Sequence, residues 1–327
     1  MSDAPAVPSL LERIVRAVLR RVKRLFVAPP PEPRNKHLWS IGIYAGPSPL
    51  ALGPASSMAN PVLTREQVTD VRAGFVADPF LVRDGATLWM FLELYNLARK
   101  KGELAVASST DGAHWQYRQV VLREPFHLSY PQVFSWEGRW YLLPETHETQ
   151  TVRLYEAVEF PLRWRLVHTL LTGGRFSDAT LLRHDDRWWM FVDASPEGKH
   201  DTLALYWADD LRGAWTLHPQ SPLVADDNRT ARPAGRILTH DGKLYRLAQD
   251  CRPAYGMRVL GFEITTLTTT AYAERAVDVG PYLTGSGAGW NADGMHQVDA
   301  LQQPDGSWIA AVDGWRWATK READRAD

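Results

Sequence analysis

The 327-residue chain has one cysteine, Cys251, no apolar run as long as a membrane-spanning helix, and almost no net charge. A lone cysteine excludes an internal disulfide framework and leans toward a cytoplasmic protein. A spanning helix needs about 18 or more apolar residues, so none is expected. Lys and Arg number 37 against 38 Asp and Glu, a formal charge of −1, and bulk electrostatics therefore point to no nucleic acid. The glycine-rich phosphate loops Gly-x-x-x-x-Gly-Lys-Ser/Thr and Gly-x-Gly-x-x-Gly are absent, as is the Gly-x-Ser-x-Gly nucleophile elbow. His127, His147 and His296 have no Cys or His at metal-ligand spacing, so no metal and no cofactor is expected. An ion held by His296 and waters is the one arrangement left open.

What the chain has in quantity is aromatic residues, 14 Trp and 11 Tyr, which favour pleated, half-buried surfaces. They recur in order. Five stretches, 77–93, 130–145, 177–193, 232–250 and 296–313, each start on an acidic or polar segment, reverse through a turn and end an aromatic strand on a polar residue. Their centres lie roughly 50 to 60 residues apart, the spacing of radially repeated four-stranded blades. The spacing predicts an all-β, five-bladed β-propeller over residues 37–318. In the first repeat Asp84-Gly85 supplies a hairpin turn, and third and fourth strands follow at 103–108 and 115–122. After Asp313 too little apolar chain remains for two more strands. The alternating segment Leu38 to Tyr44 is expected to complete the fifth blade and close the ring. Residues 319–327 read as a polar tail.

Residues 1–36 read as a separate unit. Leu10, Leu11, Ile14, Val15, Val18, Val22, Leu25 and Phe26 fall at helical spacing among arginines and a lysine, and prolines at 29–31 and 33 stop the pattern. This predicts a basic N-terminal amphipathic helix, suited to an anionic membrane surface at the inner face, to a glycosyltransferase partner, or to packing on protein.

In a propeller the first strand of each blade lines the axis, and in a hairpin of equal arms its first residue lies beside its last. The starts and ends of the five repeats therefore share one rim. On it the sequence places Asp78 with Glu93, Tyr130 with Glu145, Asp178 with Asp193, Arg232 with Gln249 and Asp250, and His296 or Asp299 with Asp313. An Asp before a strand commonly caps a turn, and Trp89, Trp140, Trp188 and Trp308 fall at like positions that serve blade packing. Crowded carboxylates shift one another's pKa values, so that one keeps a proton while another stays ionised, which is what glycoside chemistry needs. Arg232 suits an acidic sugar or phospho-sugar, or is held by the rim carboxylates.

Ala-Asp-Pro-Phe at 77–80 and Ser-Asp-Ala at 177–179 resemble the two Asp positions of five-bladed propeller glycosidases of the arabinanase and β-xylosidase type. That resemblance implies a base at Asp78 and a substrate-orienting, pKa-setting role for Asp178. The third member of that set, a Glu acid opening a later blade, has no counterpart where Arg232 stands; Glu145 or His296 could replace it, and Glu145 is the candidate acid. The motifs Phe-Val-Ala-Asp-Pro-Phe, His-Leu-Ser-Tyr-Pro-Gln at 127–132, Leu-Pro-Glu-Thr at 143–146, Ser-Asp-Ala-Thr, Ala-Arg-Pro-Ala-Gly and Ala-Gln-Asp-Cys at 248–251 together resemble the N-terminal domain of plant glucosamine inositolphosphorylceramide transferase. It implies glycan or glycolipid metabolism, with the sugar-transferring module of that family elsewhere. Two functions are therefore expected of the sequence. One is an enzyme acting on a glycosidic linkage; the other is a non-catalytic glycan-binding or scaffold propeller.

Overall fold

The computed structural model describes residues 37–55, 58–277, 280–319 and 322. The amphipathic helix expected within residues 1–36 and the last residues of the tail lie outside the described residues. His37 to Trp317 form the propeller as one unit. Five antiparallel sheets follow each other along the chain. Blade one is Ala73–Asp84, Thr87–Asn96, Lys101–Ser109 and Gln116–Leu122. Blade two runs Ser129–Trp136, Arg139–Glu145, Thr151–Glu159 and Arg163–Thr172, and blade three Ser177–His184, Arg187–Asp193, Leu203–Ala208 and Thr216–Leu217. Blade four has Leu238–His240, Lys243–Asp250, Arg258–Leu267 and Tyr272–Ala276, with Leu283–Thr284 also on its third strand.

Blade five closes the ring as the sequence suggested. Val298–Gln302 and Trp308–Trp317 are its inner strands, and His37–Gly46 and Gly53–Pro54 complete it from the other end of the chain. His37 to Gly46 pair without interruption to Trp317 through Trp308, which joins first and last parts of the propeller in one ladder. Between blades the packing is aliphatic and aromatic. Ile41, Ile43, Val76, Met90, Leu92, Ile309 and Ala311 seal blade five against blade one, and Trp188 packs with Tyr141 and Leu143 between blades two and three. Within one residue of the start of the fourth strand, three blades have a tryptophan that donates its indole N–H back to the preceding turn: Trp115 to Gly112, Trp164 to Pro161 and Trp215 to Leu211. That bond gives a buried polar edge its partner and fixes the turn.

The inner strands of blades one, two and three carry the same irregularity. Their pairing slips between Ala77 and Phe80, between Ser129 and Gln132, and between Ser177 and Thr180. The residue bulged out is left-handed in each: Asp78 at φ 51°, Tyr130 at 47° and Asp178 at 51°. Left-handed backbone is uncommon for residues with a Cβ and costs on the order of 1–3 kcal/mol each, so something must hold these three.

Blade four departs from the expected pattern. Its first strand begins at Leu238 rather than near Arg232. Pro233 has no N–H for a ladder and makes only an isolated bridge to Ala248, while Gly235 turns the chain at φ 138° and gives its N–H to the Tyr130 hydroxyl. A Cβ on Gly235 would lie 1.9 Å from the Val298 carbonyl oxygen. Gly235→Ala is therefore expected to lower stability by about 3 kcal/mol, read as a shift of the urea midpoint. Gly242→Ala, in a hairpin turn at φ 69° with open space around it, is expected to cost about 1 kcal/mol. Equal losses would refute the close approach as the constraint on Gly235.

Candidate functional site

The bulges are held by carboxylates of the preceding blade. Asp313 at the end of blade five accepts the Asp78 N–H at 3.0 Å, and also the His296 and Gln297 N–H groups. Asp78 in turn accepts the Tyr130 N–H at 3.1 Å, and Glu145 accepts the Asp178 N–H at 3.1 Å. Blade four joins through Arg232, whose Nε lies 2.5 Å from Asp178 Oδ2 and whose Nη2 reaches both Asp178 at 3.2 Å and Glu145 at 3.4 Å. Gln249 Nε2 donates to Asp178 at 2.7 Å. His296 donates toward Asp313 at 2.8 Å from Nδ1 and faces Asp78 at 3.6 Å with Nε2. Asp78, Glu145, Asp178, Arg232, Gln249, His296 and Asp313 thus converge at the mouth of the channel, as the sequence placed them.

Four of the five carboxylates that end the second strands meet a histidine. His127 Nε2 is 3.3 Å from Glu93, His147 Nδ1 bonds Glu145, His200 Nδ1 is 2.9 Å from Asp193, and His296 serves Asp313. The tautomer of His127 is fixed: Nδ1 accepts the Gly102 N–H at 2.9 Å, which leaves the proton on the Nε2 that faces Glu93. Asp193 joins the cluster indirectly, through His200, whose ring lies 3.0 Å from Arg232 Nη1. His200, Tyr255 and Trp39 were not singled out in the sequence. Tyr255 lies under the Arg232 guanidinium at 5.2 Å and edge-on to His296, which rests 4.1 Å from the Trp39 ring. All three come from loops or from the closing strand, where no periodic pattern marks them.

Three residues expected at the mouth are elsewhere. Tyr130 is fully buried below it: its backbone shares the left-handed bulge of Asp78 and Asp178, but its longer side chain extends down the channel. Its hydroxyl meets Thr180 at 2.8 Å and accepts the Gly235 N–H. Asp299 sits a tier deeper, accepting the Leu81 N–H and pairing with Arg236, which also reaches the carbonyls of Leu81 and Val133. Asp299 pairs two residues further along its hairpin than the Asp313 level, opposite Ala311. Tyr130, Arg236 and Asp299 thereby plug the channel, making the mouth a bowl with a floor. Asp250 has turned to the rim of blade four, where it binds Arg258 and the Arg252 N–H. Arg232 is engaged by Asp178 and Glu145, the second of the two arrangements weighed for it.

The charges are graded. Burial works against ionised Glu145, but the His147 hydrogen bond and the Arg232 charge hold it well below the usual carboxylate range. Burial pushes Asp178 up, against the pull of Arg232. Glu93 is pushed well up by burial and by the charges of Asp78 and Glu145. Asp78 itself is lifted to about 6, by burial first and by Asp313, with His296 pulling the other way. Asp78, His296 and Asp313 each present a donor atom within 4.8 Å of the others, so they are the described residues able to hold a small cation.

A raised carboxyl stabilises the fold fully below its unfolded pKa and loses that contribution as pH rises through the folded one. For Asp78 the window runs from about 4 to about 6. At about 1.4 kcal/mol per unit, Asp78→Asn is expected to gain up to about 3 kcal/mol on the parent chain between pH 4 and pH 7. Urea midpoints of the two proteins across that range test it; a difference that does not change with pH would mean an ordinary carboxyl.

The family model for the N-terminal part of glucosamine inositolphosphorylceramide transferase 1 matches residues 32–315. The transferase of that name from Oryza sativa subsp. japonica is 37% identical over 304 residues, which take in 87% of this chain and 41% of the relative. That from Arabidopsis thaliana is 34% identical over 304 residues, 86% of this chain and 39% of the relative. The chain spans about two-fifths of the length of the curated relatives it matches. Among solved structures, the catalytic domain of a Coprinopsis cinerea α-L-arabinofuranosidase superposes with a TM-score of 0.57 at 14% identity, covering 88% of this chain and 99% of that one. A thermostable family-43 glycoside hydrolase gives 0.55 at 14% identity over 80% and 92%. At such identities the likeness is one of fold.

Proposed function

The chain belongs to the family of the glucosamine inositolphosphorylceramide transferase 1 N-terminal domain, and from that premise we propose that it acts on a sugar of a glycan or glycolipid seated in the bowl, with Asp78 as the base. The observation that carries this is the Asp78–Glu93 pair. Two buried carboxyls belong to one cluster, Glu93 pushed well up by burial and by the charge of Asp78, and Asp78 lifted to about 6. A group with its pKa near neutrality exchanges protons best at neutral pH. At pH 7 Asp78 is ionised and takes the proton of water or of an acceptor hydroxyl as that oxygen bonds the sugar carbon. The bond to the leaving oxygen breaks, the leaving oxygen departs as an anion with the bonding pair, and Glu93 keeps its own proton. Glu145, held ionised by His147 and Arg232, is too weak a base to compete. It supplies fixed negative charge to an electron-poor sugar carbon. The acid role expected of Glu145 therefore passes out of this reading. Asp178 is held by Arg232 and Gln249 and orients the substrate. The substrate class named for the relatives, an inositolphosphorylceramide, is the first to try, with residues 1–36 as the contact to an anionic membrane or to a glycosyltransferase.

A second reading has its own observation. Arg232 stands where the sequence resemblance leads one to look for the acid of the glycosidases, and its guanidinium is spent on Asp178, Glu145 and His200. A site with no leaving-group acid suits a binding module that presents a sugar to a partner enzyme. The two readings separate in one comparison. Asp78→Asn is expected to lower turnover of a confirmed glycan or glycolipid substrate by about a thousandfold, with binding by calorimetry kept within a few-fold. Binding without turnover by the parent chain selects the second reading, and full turnover by the variant removes Asp78 from the mechanism.

A further inference from the structure

The mouth and the rim of blade four beside it have opposite characters. Blades one, two, three and five end their second strands in carboxylates answered by histidines, whereas blade four ends in Asp250 surrounded by arginines. Asp250 is fully buried. Its Oδ1 accepts the Arg252 N–H at 3.0 Å, and its Oδ2 holds Arg258 Nε at 2.8 Å and Arg229 Nε at 3.5 Å. Arg252 Nε is held in turn by the neutral Asn228 Oδ1 at 2.6 Å. One arginine satisfies a carboxylate; here two arginine side chains meet it, and a third arginine, tied to it through the backbone N–H, has its guanidinium on Asn228 beside them.

Each of the three is tethered through Nε, which leaves the paired terminal nitrogens outside these bonds. Among the described residues those nitrogens take no other partner. The side chains of Arg229 and Arg258 are 50% and 37% exposed, and Arg252 is exposed. The nearest acid along the chain, Asp227, is occupied by the Arg229 N–H at 3.1 Å and the Thr230 hydroxyl at 3.0 Å. The placement is next to the bowl: Arg229 lies three residues before Arg232, and Arg252 three before Tyr255, whose ring carries the Arg232 guanidinium. Guanidinium forks fixed at Nε, with their ends free, are suited to the oxygens of a phosphoryl group.

We propose that Arg229 and Arg258, organised by Asp250, and Arg252, held by Asn228, form a subsite for a phosphoryl group attached to the sugar that enters the bowl. This rests on the reading of the bowl as a sugar site, and it fixes the ligand's polarity, with the neutral ring toward blades one to three and the anion toward blade four. The phosphoryl group comes either from a soluble sugar phosphate or from a phospholipid headgroup.

The test uses the full chain and two probes. Calorimetry with myo-inositol 1-phosphate, against myo-inositol as control, reads the soluble source. Co-sedimentation with phosphatidylcholine vesicles holding about one-tenth phosphatidylinositol reads the lipid source. Both are run on the parent chain and on R229Q/R252Q, whose two positions are exposed; unchanged urea midpoints certify the fold. Weakening of about tenfold or more by R229Q/R252Q in either arm supports the subsite and identifies its source, since residues 1–36 are present in both proteins. Equal binding of the two proteins in both arms, or no binding of either probe by the parent chain, overturns it. The readout needs no turnover, so a failure of the chemistry at Asp78 is seen separately.

Discussion

A carboxylate on the inner hairpin of one blade receiving the N–H of a strained bulge at the start of the next is the interaction on which the rest of this propeller depends. Asp313 to Asp78, Asp78 to Tyr130 and Glu145 to Asp178 are three turns of the same device. Hydrogen bonds to an ionised acceptor are stronger than neutral ones, about 1.5–3 kcal/mol net against about 1 kcal/mol. That is the order of the cost of a left-handed residue with a Cβ. The bulge and the carboxylate therefore persist together: without the acceptor the bulge relaxes, and without the bulge the carboxylate is a buried charge with one donor fewer.

Because the same groups hold the ring together and line its mouth, stability and chemistry share residues. Burial that would neutralise every carboxylate is offset unevenly. Glu145 has His147 and Arg232 beside it, whereas Glu93 has the ionisable neighbours Asp78 and Glu145 pushing its proton on. The pattern of donors, rather than the number of acids, separates carboxyls that titrate near neutrality from those that do not. The floor made by Tyr130, Arg236 and Asp299 keeps the cluster from being reached through the channel from below.

The fold was legible because a propeller repeats, and the repeat shows in chain order: polar start, turn, aromatic strand, polar end. The closing strand was legible from the shortage of apolar chain after Asp313. Most of the site followed from strand geometry, since the first and last residues of a hairpin must share an edge. What geometry did not foretell was side-chain direction at a bulge. Tyr130 occupies the same position as Asp78 and Asp178 yet points to the floor, because an aromatic ring fills the channel where a carboxyl reaches only across it. The histidines come from loops of unequal length, and Asp250 differs from its four counterparts because the side chains of Arg229 and Arg258 close upon it where the others meet a histidine.

The uninterrupted ladder from His37 against Trp317 to Gly46 against Trp308 has a bearing on how such a unit is built into longer chains. Entry to the propeller and exit from it are neighbours on paired strands of one blade. The unit can be spliced into another polypeptide at that single point, as an insertion whose host chain is not forced apart. For the same reason a circular permutant joined there and opened at a hairpin turn elsewhere keeps every inter-blade contact. The ring is thus indifferent to where its chain starts, and the identity of the mouth is carried by the order of the blades alone.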